Sequence, residues 1–269
     1  MKLPDFPWDE LTPYAERAKQ HPGGLIDLSV GTPVDPTPQF IQEALRSAAN
    51  SPKYPLTAGT PELRAAIKDW ATRELGASGE FGVLPLIGSK ELVAWLPTLL
   101  QSKTLLYPEI AYPTYLVGGL IAQIKVTGVG FDASTWPSAE LAWINSPSNP
   151  TGRISSDQEL NGAINWARNN GVVVSDECYL EFGSTSKPKS ILAFSGGDNR
   201  NLLALHSLSK RSSMAGYRAA MLIGDPELIA RILEVRKHAG MMVPLPVQQA
   251  MIAALSDNKH VEQQRALYN

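Results

Sequence analysis

Cysteine is almost absent from this chain of 269 residues, with Cys178 its only example. An internal disulfide and a multi-cysteine metal site are both excluded, which favours a reducing compartment. The four histidines, His21, His206, His238 and His260, lack the spacing of a ligand set, so no metal is expected. No apolar run approaches the roughly 18 residues that a bilayer span requires. The opening Met1-Lys-Leu-Pro-Asp-Phe-Pro-Trp-Asp lacks a signal-peptide core. Charge of one sign is also missing: 24 basic against 26 acidic residues give a formal net charge of -2. That offers no field for nucleic acid and no cationic face for a membrane. What remains reads as a cytoplasmic globular protein with a small-molecule partner.

From residue 83 onward, short apolar runs alternate with helical patterns. Val83–Gly88, Thr104–Tyr107, Ile124–Val129, Leu141–Asn145, Gly171–Ser175, Leu202–His206 and Ala219–Gly224 read as strands, most of them apolar on both faces. Strands without a polar face belong to sheets covered by helices on both sides, so the expected class is α/β with a largely parallel, mixed sheet. Ser89 is the expected N-cap of a helix whose face is Leu92, Trp95, Leu96 and Leu99. Ser156-Asp-Gln-Glu159 matches a capping box, Asp225-Pro226-Glu227 a helix start, and Gly240 a helix end. Prolines from Pro4 to Pro61 break the first part into an arm and turns, leaving helices near 39–50 and 60–75. A last helical pattern runs from Pro246 through His260 to Tyr268 and ends without a cap.

Ligands of open α/β sheets gather at the carboxyl ends of strands, so polar residues there form one set of candidates. Gly88-Ser89-Lys90 opens a helix whose N–H groups suit phosphate. Tyr112 and Tyr115, in Tyr-Pro-Thr-Tyr, offer faces for a flat heteroaromatic ring. Asn149, in Asn-Pro-Thr-Gly, could donate to a phenolate oxygen, and Tyr179 could share it. Asp176 ends a Val-Val-Val run that should be buried, and a buried carboxylate needs a partner such as a pyridinium nitrogen. Ser207-Leu-Ser-Lys210 and Gly216-Tyr-Arg218 supply an amine for a Schiff base with hydroxyl and guanidinium groups for a phosphate. Taken singly, each has an ordinary explanation as a cap, a turn or a core residue. Together they meet the requirements of pyridoxal 5'-phosphate.

In this order the motifs resemble the fold-type I, class I/II aminotransferases over nearly the whole chain. Several wordings, among them Leu28-Ser-Val-Gly-Thr-Pro and Tyr54-Pro-Leu-Thr-Ala-Gly-Thr-Pro, resemble the actinobacterial N-succinyldiaminopimelate aminotransferases. The resemblance implies Lys210 as the cofactor's imine partner and proton carrier, Asp176 on the pyridine nitrogen, and Asn149 and Tyr179 on the ring oxygen. It implies Tyr112 as the stacking residue and Ser89, Lys90 through its backbone, Ser207 and Arg218 as the phosphate cup. Tyr54 would reach the phosphate of a neighbouring subunit, hence a homodimer, and Gly31 would meet the substrate carboxylate. The implied activity is a ping-pong aldimine mechanism that moves an amino group from glutamate to N-succinyl-2-amino-6-oxopimelate, in diaminopimelate and lysine synthesis.

The expected division is an arm with part of a small domain over 1–52, a large cofactor-binding domain over 53–255, and the start of a C-terminal small domain over 256–269. The family's arginine for the substrate α-carboxylate has no counterpart before Asn269, so a truncated chain with weak transamination is expected. Other amino and oxo acids, a lyase or a cyclopropane-forming synthase, an inactive cofactor-binding fragment, and an effector-sensing module remain open alternatives. Against the last stands the lack of room before Leu3 for a DNA-binding unit.

Overall fold

Seven runs of apolar sequence form seven strands of one sheet in the computed structural model, which describes residues 3–182 and 188–268. The expected domain limits at residues 1 and 269 lie outside the described residues. In chain order the elements are α1 (Thr12–Lys19), α2 (Gln39–Ser47), α3 (Pro61–Leu75), β1 (Gly82–Leu86), α4 (Ser89–Leu99), β2 (Thr104–Pro108) and α5 (Thr114–Ala122). There follow β3 (Lys125–Val129), β4 (Leu141–Asn145), α6 (Asp157–Asn169), β5 (Val172–Asp176), β6 (Leu202–Ser207) and α7 (Leu208–Arg211). The chain continues through β7 (Ala220–Gly224), α8 (Pro226–Ala239), α9 (Leu245–Ser256) and α10 (Lys259–Tyr268).

The strand order is β1-β7-β6-β5-β4-β2-β3, and β7 alone runs antiparallel to both of its neighbours. The α/β class with a mixed, mainly parallel sheet is thus as expected. Register fixes what stands where: Asn145 pairs with Asp176, and Asp176 with Leu205. The carboxyl ends of β4, β5 and β6 therefore form one edge about 10 Å wide, at roughly 4.8 Å per strand. Two apolar layers sandwich the sheet. Leu202 and Ala204 of β6 face one layer with Trp70 of α3, Ile164 of α6 and Met251 of α9, while Leu203 and Leu205 face the other with Leu92, Tyr115 and Ile232. Every residue of β6 is buried, which explains why its sequence carries no alternation.

Local chemistry ends most helices where expected. Ser156 and Glu159 form the reciprocal capping box of α6, Asp225 caps α8 through Glu227 N and Leu228 N, and Gly240 closes α8 at φ +70°. Three expectations are corrected. Ser89 is not the cap of α4: Gly88, at φ +92°, takes that place, and Ser89 is the first helical residue, with no capping bond. Trp95 is 40% exposed, so the buried face of α4 is Leu92, Val93, Leu96 and Leu99. The last helix is two helices, because Asp257 is extended (φ -129°, ψ 132°) and its carboxylate accepts from His260 N at 3.0 Å, starting α10 afresh. The proline-rich arm also holds α1, while α2 packs against α9 and so ties residues 39–47 to the C-terminal helices.

Candidate active site

Asp176 sits at the centre of the strand-end edge and is buried at 6% exposure. Tyr115 Oη donates to its Oδ2 at 2.8 Å and Cys178 N to its Oδ1 at 3.1 Å. Burial pushes its carboxyl above the ordinary range, opposed by hydrogen bonds from Cys178 and Tyr115 and by the charge of His206. No ion pair among the described residues includes Asp176, whereas its neighbour Glu177 has His206 at 2.8 Å. A buried anion supplied with donors but with no paired cation suits a protonated ring nitrogen.

Beside it, Asn145 organises the loop after β4. Its Nδ2 donates to Pro147 O at 3.1 Å and to Asp176 O at 2.9 Å, and its Oδ1 accepts from Asn149 N at 2.7 Å. Asn149 is thereby held against the end of β5. There its side chain lies beside the Tyr179 hydroxyl, whose pKa burial raises to about 12. Asn149 and Tyr179, singled out separately in the sequence, thus meet and can address one oxygen acceptor. Tyr112, half-buried and edge-on to Tyr115 at 6.0 Å, feels the charges of both Asp176 and Arg218; burial raises its phenol above the usual range.

Arg218 and the start of α4, both expected in the anion cup, lie side by side. The guanidinium of Arg218 lies against the Cα of Gly88, so closely that a methyl at Gly88 would overlap it. Glycine is needed here both for that approach and for the positive φ. Arg218 Nη1 donates to Ala215 O at 2.9 Å, and the side chain is exposed, facing the first turn of α4. That turn presents the unpaired N–H groups and positive dipole end of an eleven-residue helix. The Lys90 ammonium is turned away, 4.9 Å from the ring of Phe6 and 5.8 Å from that of Trp8, which leaves Lys90 only its backbone N–H for the cup. Ser207 Oγ accepts from Ser209 N at 3.1 Å and keeps its proton to donate.

Lys210 lies on the short α7, and its Nζ donates to the carbonyl of Gly31. Burial holds its ammonium below the usual lysine range, so more of the amine is neutral and nucleophilic. The arm residue Gly31 and the lysine, far apart in sequence, are therefore in contact. Tyr54 is not brought to this cluster; it is 95% exposed and takes part in none of the cluster's hydrogen bonds. Two residues not singled out for the site belong to it, Asn145 and Cys178, which contacts Asp176 and Ser89, while Tyr115, read as offering a ring face, is instead the donor to Asp176. A polar residue closing the apolar run of β4 was the signal for Asn145. No group of His, Cys, Asp or Glu able to hold a metal occurs among the described residues, and none of their helices is long and apolar enough to cross a membrane.

Tyr115→Phe removes a donor to a buried anion and is expected to cost about 1.5–3 kcal/mol of stability. The sign with pH follows from the direction of the Asp176 shift. Because its folded-state pKa is raised, ionising the carboxyl already opposes folding, and losing the phenol deepens that penalty only where Asp176 is charged. Urea midpoints should differ most at neutral pH and converge as pH falls through the raised value; a pH-independent difference would refute the assignment.

The sequence profile described as "Aminotransferase class I and II" matches residues 24–269. The 4-dedimethylamino-4-oxo-anhydrotetracycline transaminase OxyQ of Streptomyces rimosus is 49% identical over 99% of this chain and 77% of its own. A probable aminotransferase of Mycobacterium tuberculosis is 51% identical over 99% of this chain and 66% of its own, so the chain spans 66% to 77% of those two lengths. Further curated relatives, 29% to 33% identical, are LL-diaminopimelate aminotransferases. Among solved structures, the aminotransferase AspB from Helicobacter pylori superposes with a TM-score of 0.89 at 30% identity, covering 100% of this chain and 77% of that one.

Proposed function

Because this chain belongs to the class I and II aminotransferases, a family that depends on pyridoxal 5'-phosphate, we propose that it binds this cofactor at the strand-end edge and exchanges amino groups between amino and 2-oxo acids. The observation that carries this reading is the buried Asp176, supplied with donors yet lacking a paired cation, one strand away from the segment that bears Lys210. When bound, the cofactor serves as the electron sink that makes an amino acid's α-proton removable.

The chain's own residues do the rest. Asp176 holds the ring nitrogen, Asn149 and Tyr179 the ring oxygen, and Tyr112 covers the ring's face. Ser89, Ser207, Arg218 and the N–H groups at the start of α4, including that of Lys90, take the phosphate. Lys210 attaches the cofactor. Once displaced, its amine, with its lowered pKa, removes the proton from the α-carbon of the amino donor and returns one to the α-carbon of the product. The Gly31 carbonyl holds the amine between steps, and the arm around Gly31 would meet the substrate carboxylate.

As substrates we propose glutamate and N-succinyl-2-amino-6-oxopimelate, a reading supported by the diaminopimelate aminotransferases among the relatives. The 49% identity to a transaminase named for a cyclic oxo substrate favours a second reading, a bulkier oxo acceptor. A coupled assay that turns over the succinylated pair fastest supports the first; good turnover of other oxo compounds alone would sink it. A dimer is part of the proposal: Ile26, Leu28, Val34, Tyr54 and Leu56 are each more than half exposed on and beside the arm, which suits burial against a second copy that Tyr54 would reach.

Cys178 allows a direct test of the cofactor site. Burial and the charge of Asp176 raise its thiol well above the usual range, so labelling by a thiol reagent should be slow. Pyridoxal 5'-phosphate at one hundred times its dissociation constant should slow it by about a further hundredfold, alongside a visible absorbance band. An unchanged labelling rate and no band would refute the site.

A further inference from the structure

Where α7 ends, a hydroxyl, an imidazole and a carboxylate stand in line. Ser212 Oγ is 2.9 Å from His260 Nε2, and His260 Nδ1 is 2.6 Å from Asp257 Oδ2. The order is that of a hydrolase's nucleophile, base and orienting acid, but this hydroxyl is not a nucleophile. At 2% exposure Ser212 is out of reach of a substrate, and its oxygen already accepts from Arg211 Nη1 at 3.2 Å.

The direction of each bond follows from these neighbours. A carboxylate only accepts, so the proton facing Asp257 sits on His260 Nδ1. In the neutral ring Nε2 is then bare, and the Ser212 hydroxyl donates to it. The relay runs one way, from Arg211 through Ser212 and His260 to Asp257. A second ring proton, on Nε2, would reverse the middle bond, send the Ser212 proton in search of another acceptor in a buried site, and set a cation beside Arg211. Burial and the charge of Arg211 hold the His260 pKa below its ordinary value, against the pull of Asp257. The charged groups facing the ring are Asp257 at the start of α10, Arg211 from α7 and Glu181 from the turn after β5, while α2 faces it with the ring of Phe40, edge-on at 5.5 Å.

What the relay joins gives it a role. Ser212 follows closely on Lys210, and the next residue, Ser213, has a positive φ of +49° and a carbonyl that accepts from Thr37 Oγ1 of the arm at 2.6 Å. Gln264, one turn beyond His260 in α10, donates to Asp35 of the same arm at 2.7 Å. The turn, the arm and α10 thus close a ring of hydrogen bonds, and Lys210 Nζ also meets the arm, at the Gly31 carbonyl. We propose that His260 is a positioning residue: oriented by Asp257, it steadies through Ser212 the turn that carries Lys210. The consequence for the cofactor rests on the role given to Lys210 above, whereas the steadying of the turn does not.

Hydrogen exchange of the Ser212 amide, which donates to Leu208 O at 3.1 Å, reports on the turn in cofactor-free protein. At neutral pH and above, Ser212→Ala and His260→Gln should each lower its protection about tenfold, the scale of one lost hydrogen bond, with the amides of β6 changing much less. Because the folded-state pKa of His260 is lowered, the relay is intact above the ordinary histidine value of about 6.5 and is lost as pH falls through the folded value. The gap between wild type and variants should therefore close in acid. Equal protection at neutral pH, or a loss that β6 shares in full, overturns the proposal, and either variant suffices should the other fail to fold. With pyridoxal 5'-phosphate added, the visible band should grow more slowly in His260→Gln than in wild type by the same factor, and the ratio of the two rates, in which the titration of the Lys210 amine cancels, should approach one in acid. A ratio that stays at one, or one that ignores pH, also overturns it. Should wild type itself show no Lys210-dependent band, the cofactor reading falls while hydrogen exchange still decides the role of His260.

Discussion

Lys210→Ala is expected to lower transamination by about a thousandfold or more, the scale of removing a positioned proton-transfer group. It should also abolish the visible band of the bound cofactor. The same change should scarcely touch folding. Lys210 Nζ has one hydrogen bond, to the Gly31 carbonyl, whereas the turn that carries it is secured by others: Ser207 caps it, and Arg211 ties it to Glu181 and to the end of α9. A loss of stability within about 0.5 kcal/mol is therefore anticipated, as for a substitution away from the core. Single-turnover mixing with glutamate gives the rate, and urea unfolding the stability. A variant retaining a tenth of wild-type rate would remove Lys210 from its role, and one that unfolds would show that the lysine is structural.

Glu91→Ala should produce the largest loss of stability, about 3–5 kcal/mol, because it strands a buried charge. Arg236 of α8 is fully buried, and its Nη1 reaches both oxygens of Glu91 at 2.7 and 3.0 Å, with Nη2 donating to Met241 O at 3.2 Å. Once the carboxylate is gone, the guanidinium stays in the core with only a carbonyl for company. Arg236→Met makes the reciprocal change but leaves Glu91, whose side chain is 14% exposed, with access to water. It should cost clearly less. Urea midpoints compare the two directly, and equal losses would mean that burial of the charge is not the cause.

The sequence and the structure agree best where a rule acts locally. The β6 run Leu202-Leu-Ala-Leu-His, the Ser156–Glu159 box and the Asp225 cap depend on neighbours a few residues away, and all are found as read. Local signals misled where a second residue competed. Gly88 takes the cap from Ser89 because the guanidinium of Arg218 occupies the space a side chain there would need. Asp257 interrupts the last helix because its carboxylate finds the N–H of His260. Candidate site residues were legible as a set of chemistries, yet the residues that orient them were not. Tyr115 looked like any core tyrosine until β5 brought Asp176 to it, and the reach of Asn145 to Asn149 depends on the shape of a loop. Tyr54 is a case of another kind, since its expected role involves a second subunit.

The direction of β7 has a consequence for how the pocket tolerates motion. Since β7 returns antiparallel beside β6, with Ser207 opposite Ala220, the chain leaves the sheet and re-enters it at the same edge. Lys210 and Arg218 are thus carried on one short excursion clamped at both feet, like two jaws of a single vice. A parallel strand would have sent the chain to the far edge and left these groups to separate segments. The backbone span between Lys210 and Arg218, the two residues proposed to hold opposite ends of the cofactor, is therefore set by this clamp and not by the arm or the C-terminal helices.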